Sequence, residues 1–193
     1  MENDSITRRV FLIRSLTGVS AGWLLSRMPQ IVEAQEHMHK VAQAEAPTTF
    51  QFFSPEQAAE VEAIAARIIP TDDTPGAREA HVIYFIDRAM STFDKEKQPL
   101  YVAGLRQLSI RRKAMFPSSP TFAALKPAQQ DRLLKRLEKG KFFQAVRTHT
   151  VMGFFAEPKY GGNYELAGWK LIGFQDQFYY KPPFGYYDAE AKR

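Results

Sequence analysis

Cysteine is absent from the 193 residues, which removes disulfides, thiolate zinc sites, iron–sulfur clusters, covalent c-type haem attachment and a cysteine nucleophile in one step. The absence assigns no compartment, since a chain without thiols is at ease in reducing and oxidising surroundings. Also missing are a G-x-G-x-x-G turn after a strand, a P-loop lysine motif and an H-E-x-x-H helix, so neither a nucleotide nor a catalytic zinc signature is present. No segment alternates polar and apolar residues long enough to require a strand. Charge is modest: 26 Lys and Arg against 21 Asp and Glu give a net +5. With acids interspersed, this excess reads as a solubility feature, not as the dense basic stripe that nucleic acid requires. What is present is ordinary for a folded chain, 45% hydrophobic and 24% charged, at a length suited to one or two domains.

The N-terminus is the most informative stretch. Thr7, Arg8, Arg9, Val10, Phe11 and Leu12 form T-R-R-x-F-L, followed by a short apolar run from Ser15 to Leu25. The arrangement resembles a twin-arginine export signal, with Arg8, Arg9, Phe11 and Leu12 as the residues its receptor reads. The run is about half of the roughly 20 residues a spanning helix needs, which disfavours a permanent anchor. A V-x-A cleavage site at Val32 to Ala34 would start the mature chain near Gln35; an uncleaved amphipathic helix is the alternative. Residues 1–34 thus read as a signal, leaving 22 basic and 18 acidic residues in the remainder. Inside the signal, Gly18-Val19-Ser20-Ala21-Gly22 matches a hydrolase nucleophile elbow, but without the strand–turn–helix setting that chemistry requires it is a chance match.

After a linker over residues 35–52, containing His37 and His39, a helical domain is expected over 53–193. Ser54, Pro55 and Gln57 supply an N-cap, a proline at the first position and a capping-box partner. Val61, Ile64, Ala65, Ile68 and Ile69 follow at helical spacing, and Pro70 ends the run. Thr71 to Gly76 reads as a capped turn, with Gly76 free for positive φ. A second helix is predicted from Arg78 to Phe93, with Val82, Ile86, Ala89 and Phe93 on one face. A third runs from Gln98 to Phe116, with Tyr101, Leu105 and Leu108 inward and Arg106, Arg111, Arg112 and Lys113 outward. A fourth opens at Pro127 with Leu133, Leu134 and Leu137 inward and Gly140 as C-cap. A fifth spans Phe142 to Phe155, with Gly153 suited to close approach. The fold class that follows is all-α, a compact bundle of about five helices with an irregular C-terminal segment rich in glycine and aromatics.

Seven of the fourteen positions from Phe174 to Tyr187 are Phe or Tyr, too aromatic for a solvated tail. The segment packs either on its own domain or on a partner. His81 and His149 are the candidate ligands for a metal or haem, and the Asp72-Asp73 turn for a cation. Each lacks the paired carboxylate or histidine spacing of a site, and a hydrogen-bonded histidine and a capped turn are the plainer readings.

Two blocks carry a family resemblance. Ile68-Ile69-Pro70-Thr71-Asp72-Asp73-Thr74-Pro75-Gly76-Ala77, continuing through Glu79-Ala80-His81-Val82 to Phe85-Ile86-Asp87, is similar to the first signature of the gluconate 2-dehydrogenase subunit 3 family. Thr150 to Asn163 and Gly168-Trp169-Lys170-Leu171-Ile172-Gly173-Phe174 resemble the second, so the likeness runs from about Phe53 to Phe174. The resemblance implies a noncatalytic small subunit of a membrane-associated dehydrogenase that oxidises a sugar or sugar acid at the periplasmic face. It implies no cofactor on this chain, FAD on a large subunit and haem c on a cytochrome c subunit. The small subunit would assist maturation of the large one and carry it through the twin-arginine translocase, working in the periplasm and held at the inner membrane through its complex. Its partner-facing residues are expected to be Tyr160, Gly161, Gly162, Asn163 and Trp169, with Tyr179, Tyr180 and Phe184 in the tail. The alternative is an autonomous periplasmic metal- or ligand-binding protein or enzyme using His81 or His149.

Overall fold

A computed structural model of the protein describes residues 49–177. The signal residues Arg8, Arg9, Phe11 and Leu12 and the tail residues Tyr179, Tyr180 and Phe184 lie outside this range. Among the described residues there are six α-helices and no strand: α1 (Pro55–Ile68), α2 (Val82–Ser91), α3 (Gln98–Met115), α4 (Pro127–Leu134), α5 (Lys141–Phe155) and α6 (Ala167–Leu171). None of these helices is long and apolar enough to cross a membrane.

The start of α1 follows from its sequence. Ser54 Oγ accepts the Gln57 N–H at 3.3 Å, Gln57 Oε1 accepts the Ser54 N–H at 3.0 Å, and Pro55 occupies the position where a missing N–H costs nothing. Val61, Ile64 and Ala65 are buried while Ile68 and Ile69 are half-buried, so the predicted stripe is the buried face. Each large aliphatic side chain removed from water there contributes about 2 kcal/mol. Helix α5 is the axis of the domain, packing against α1, α2, α3 and α6, while α4 packs on α1 and α3. Bidentate bonds from Arg67 to Asp131, 2.7 and 2.8 Å, add a link from α1 to α4.

The structure departs from the periodicity in four places. Helix α2 begins at Val82, since residues 77–81 fold as turns and His81 takes left-handed φ/ψ of 52° and 35°. It ends at Ser91, which leaves Phe93 half exposed against the buried Phe85. Arg112 is buried, donating from Nη1 to the Ser119 carbonyl, because the loop after α3 folds back over it. That loop is fixed to α1 through Glu60, whose carboxyl accepts the Phe122 and Ala123 N–H groups at 3.0 and 3.1 Å. Burial raises the Glu60 pKa, against those two bonds and the Arg112 charge. Gly140 is the N-cap of α5 and not a C-cap of α4.

The turn after α1 is capped from within. Asp72 accepts from the Thr74 N–H and Oγ1 at 2.9 and 2.8 Å, and Glu79 accepts from the Gly76 N–H and Thr71 Oγ1 at 2.8 and 2.7 Å. These bonds hold both carboxyls below their ordinary range: those from Thr74 act on Asp72, and that from the Thr71 hydroxyl acts first on Glu79. Gly76 is required for close approach, since a Cβ would meet the Pro70 carbonyl carbon at 2.6 Å. Positive φ among the described glycines belongs to Gly161 and Gly173.

On α2, Asp87 is 2% exposed. Its carboxyl oxygens accept the N–H groups of Gln51, Phe52 and Phe53 at 2.7, 2.9 and 2.9 Å. A residue on α2 thereby fixes the bent segment that enters α1, satisfying donors that no helix or sheet would pair.

Candidate partner interface

The second motif block is built around α5. Gly153 lies against Phe85 of α2, Gly162 lies over the Gly153 carbonyl, and Gly168 lies over the Phe154 carbonyl. A Cβ at Gly162 or Gly168 would overlap those backbone oxygens, at 2.2 and 2.0 Å, which could give way only by shifting the main chain of the last turn of α5. The chain therefore doubles back along the C-terminal end of α5 at a distance that only glycine allows.

Asn163 ties the return together. Fully buried and left-handed at φ 49°, it donates from Nδ2 to the Ala156 carbonyl at 2.9 Å and accepts the Gly168 N–H on Oδ1 at 2.8 Å. Glu165 and Leu166 are also left-handed, φ 52° and 60°, so this short stretch is held in shape by its surroundings and not by its own preferences. Helix α6 follows at once. Trp169 donates from Nε1 to the Phe155 carbonyl at 2.8 Å and meets Phe174 edge-on at 5.0 Å between ring centroids.

The first block joins here. The Tyr164 N–H bonds the Ala80 carbonyl at 3.1 Å, the Tyr164 ring stacks on His81 at 4.2 Å, and Arg88 donates to the Lys159 carbonyl at 2.8 Å. Two motifs some 80 positions apart in the chain thus form one continuous piece of structure. Of the five interface candidates in the described range, Gly161, Gly162 and Asn163 are buried inside the domain, where they shape the surface without forming it. Tyr160 is 47% exposed and Trp169 half-buried. Within the second motif block, but not among the interface candidates, Leu171 and Ile172 are 47% and 61% exposed, with Phe174 at 43%. Their signal was an apolar pair at the end of a helix too short to need them for its own packing.

His149 belongs to a different constellation. It is 1% exposed; its Nδ1 lies 2.7 Å from the Tyr101 hydroxyl and its Nε2 2.6 Å from Asp94 Oδ2. Asp94 Oδ1 in turn pairs with Lys97 Nζ at 2.6 Å. The carboxylate accepts, so Nε2 carries the ring proton and the tyrosine hydroxyl donates to Nδ1. Burial lowers the His149 pKa, outweighing the Asp94 bond and charge that favour a proton. For Asp94, burial opposes ionisation, yet the bonds and charges of Lys97 and His149 together hold its carboxyl below the ordinary range. Burial, then the Asp94 charge, pushes the Tyr101 hydroxyl far up. Both ring nitrogens of His149 are occupied, which leaves neither for a metal. His81 lies among Tyr84 and Tyr164, and its pKa is lowered by burial against the opposing charges of Glu62, Glu165 and Glu79. Among the described residues no group of three His, Asp or Glu side chains is placed to hold a metal ion.

No curated protein and no solved structure matches the chain. A family model does: the one described as gluconate 2-dehydrogenase subunit 3 matches residues 55–176, more than half of the chain and within two residues at each end of the span read from the motifs.

Proposed function

Because the chain belongs to the gluconate 2-dehydrogenase subunit 3 family, we propose that it is the noncatalytic accessory subunit of a periplasmic FAD-dependent dehydrogenase acting on a sugar or sugar acid. In this reading the flavin and the substrate pocket are on the large subunit, and a cytochrome c subunit carries the haem. This chain assists maturation of the large subunit and escorts it through the twin-arginine translocase to a complex held at the inner membrane. The observation that carries the proposal is the family match across both motif blocks, which supports a subunit role. The arrangement of those blocks is in keeping with it: the invested geometry of glycine contacts and left-handed residues frames a surface of Tyr160, Trp169, Leu171, Ile172 and Phe174 instead of a cleft with titratable groups.

The export half of the proposal rests on Arg8 and Arg9. Paired guanidiniums are recognised by a planar fork of donors that an ammonium does not reproduce, so Arg8→Lys together with Arg9→Lys should leave both this chain and the large flavoprotein in the cytoplasm. Fractionation and immunodetection of both subunits reads the outcome. A large subunit that still reaches the periplasm beside the doubly substituted chain would refute the escort role.

A further inference from the structure

The whole-chain charge of +5 conceals two parts of opposite sign. Residues 49–96, which build α1 and α2, hold four Lys and Arg against nine Asp and Glu. Residues 97–147, which build α3, α4 and the first half of α5, hold twelve against two, Asp131 and Glu138, a net +10. Of those two acids, Asp131 is committed to Arg67. Ten of the twelve basic residues are exposed, the exceptions being Lys97 and Arg112.

The exposed cations are grouped on α3 and on the turn between α4 and α5. Val102, Arg106, Ile110 and Lys113 follow one another at helical spacing and are all exposed, so this stripe of α3 alternates aliphatic and cationic side chains. Lys135, Arg136 and Lys139 stand in the α4–α5 turn, and Lys141 opens α5. The turn lies beside α3, since Leu137 and Lys141 line one cleft with Ala103 and Gln107. Among the described residues none of these six cations forms an ion pair, whereas Arg67, Arg78, Lys97 and Lys159 each do. Unpaired charge of one sign repels itself and adds nothing to the fold; it serves an anionic partner.

Composition selects among anions. Protein interfaces are centred on aromatic residues and depleted in lysine. Here half of the ten exposed cations are Lys, and none of the aromatics of 97–147, Tyr101, Phe116, Phe122, Phe142 and Phe143, is exposed. The same lack leaves no stacking platform for unpaired bases, and a duplex backbone has no use for the aliphatic residues between the cations. A bilayer surface uses both, its anionic headgroups attracting Lys and Arg while branched aliphatics enter the headgroup boundary. The exposed Tyr160 and half-buried Trp169 fall instead in residues 148–177, where charge is nearly balanced, two Lys against three acids.

We propose that the basic side formed by α3 and the α4–α5 turn lies on an anionic phospholipid surface, with Lys and Arg against lipid phosphates and Val102 and Ile110 in the headgroup layer. This face is independent of the accessory-subunit reading, whose partner surface is the aromatic one. The test is sedimentation of the full chain at low salt with vesicles of phosphatidylcholine alone, or of equal parts phosphatidylcholine and phosphatidylglycerol. Binding is expected to the second set only and to fall steeply with added salt. Each cation near such a surface is worth roughly fivefold in partitioning. Lys135→Glu, Arg136→Glu and Lys139→Glu combined should therefore lower binding at least about a hundredfold, and Arg106→Glu with Lys113→Glu, on a separate element, about twenty-five-fold, both with the thermal midpoint kept. The leader's arginines are common to every chain compared, so the ratio reports the face. No binding, equal binding to both vesicle sets, or wild-type binding by both charge-reversed chains overturns the proposal. Full displacement from the vesicles by a DNA duplex at equal phosphate concentration gives the face to nucleic acid, and charge-reversed chains that bind vesicles normally but lose the large subunit give it to an acidic protein; either result overturns it as well.

Discussion

Helix α5 is held by opposite means on its two sides. Toward α3 it is tied by a directional polar chain, Tyr101 to His149 to Asp94 to Lys97, in which every link is a hydrogen bond or ion pair of 2.6–2.7 Å. Toward the C-terminal block it is tied by proximity, with Gly162 and Gly168 lying on the carbonyls of Gly153 and Phe154. The first joint answers to protons through His149, although Gly104 on Phe142 leaves no room for a Cβ there either; the second, apart from the His81 ring on Tyr164, depends on clearance and tolerates no added volume.

The largest effect that separates them is steric. Gly168→Ala places a methyl group on the Phe154 carbonyl, and the resulting displacement should cost about 3 kcal/mol in denaturant unfolding, with the pH dependence of stability unchanged. A variant as stable as the wild type would mean that α6 moves freely on α5, and the comparison would collapse. Next is Trp169→Ala. Its indole hangs on the glycine-tied block and is half-buried, so loss of the ring should weaken retention of the large subunit by about 2 kcal/mol, typical of an aromatic anchor, in a chain that still folds. Unchanged retention would remove Trp169 from the interface.

The smallest effect, and the one particular to the polar joint, is acid sensitivity. His149 has its pKa lowered by burial from an ordinary 6.5, so below that pH the unfolded chain takes up a proton that the folded one refuses. Stability contributed this way is complete above pH 6.5 and is lost as the pH falls through it. His81, lowered by burial in the same direction, adds to the same window, while Asp94, held below an ordinary 3.8, contributes a loss only at much lower pH. The thermal midpoint of the wild type should therefore fall between pH 7.5 and 5.5. His149→Gln should fall less steeply over that range, and a slope equal to that of the wild type would assign the acid response to His81 alone.

These joints also mark where the sequence could be read and where it could not. The capping box of Ser54 and Gln57, the stripe of Val61, Ile64 and Ala65, and the self-capped turn at Asp72 depend on residues within a few positions of one another, and each is found as its spacing indicates. The start of α2 is different: the four residues from Arg78 have ordinary helical preference, but His81 is drawn into a left-handed conformation beside Tyr164 and the Ala80 carbonyl, a contact from the far end of the domain. Ending α2 at Ser91 then turns Phe93 outward. Arg112 reads as outward by its charge, yet eleven positions after Tyr101 it falls on the buried stripe of α3, where a later loop folds over it. In the candidate interface the glycines are closely packed, as their clustering indicates, and their burial leaves the exposed surface of the block to Tyr160, Trp169, Leu171 and Ile172, the last two quoted in the motif but not chosen as interface residues. In the chain from Tyr101 to Lys97 the Asp94–Lys97 pair is local, three positions apart, but the two His149 bonds span 48 and 55 positions, which no local pattern reveals.

The clamp formed by Asp87 has a mechanical side. Three consecutive N–H groups, of Gln51, Phe52 and Phe53, converge on one buried carboxyl of α2, ahead of the first turn of α1. A pull applied at Phe50 would load these three bonds, together with the stacking of Phe50 on Tyr84, before it reached the first turn of α1. The load would pass into α2 through Asp87, and α1 would keep its capped first turn until the clamp gave way.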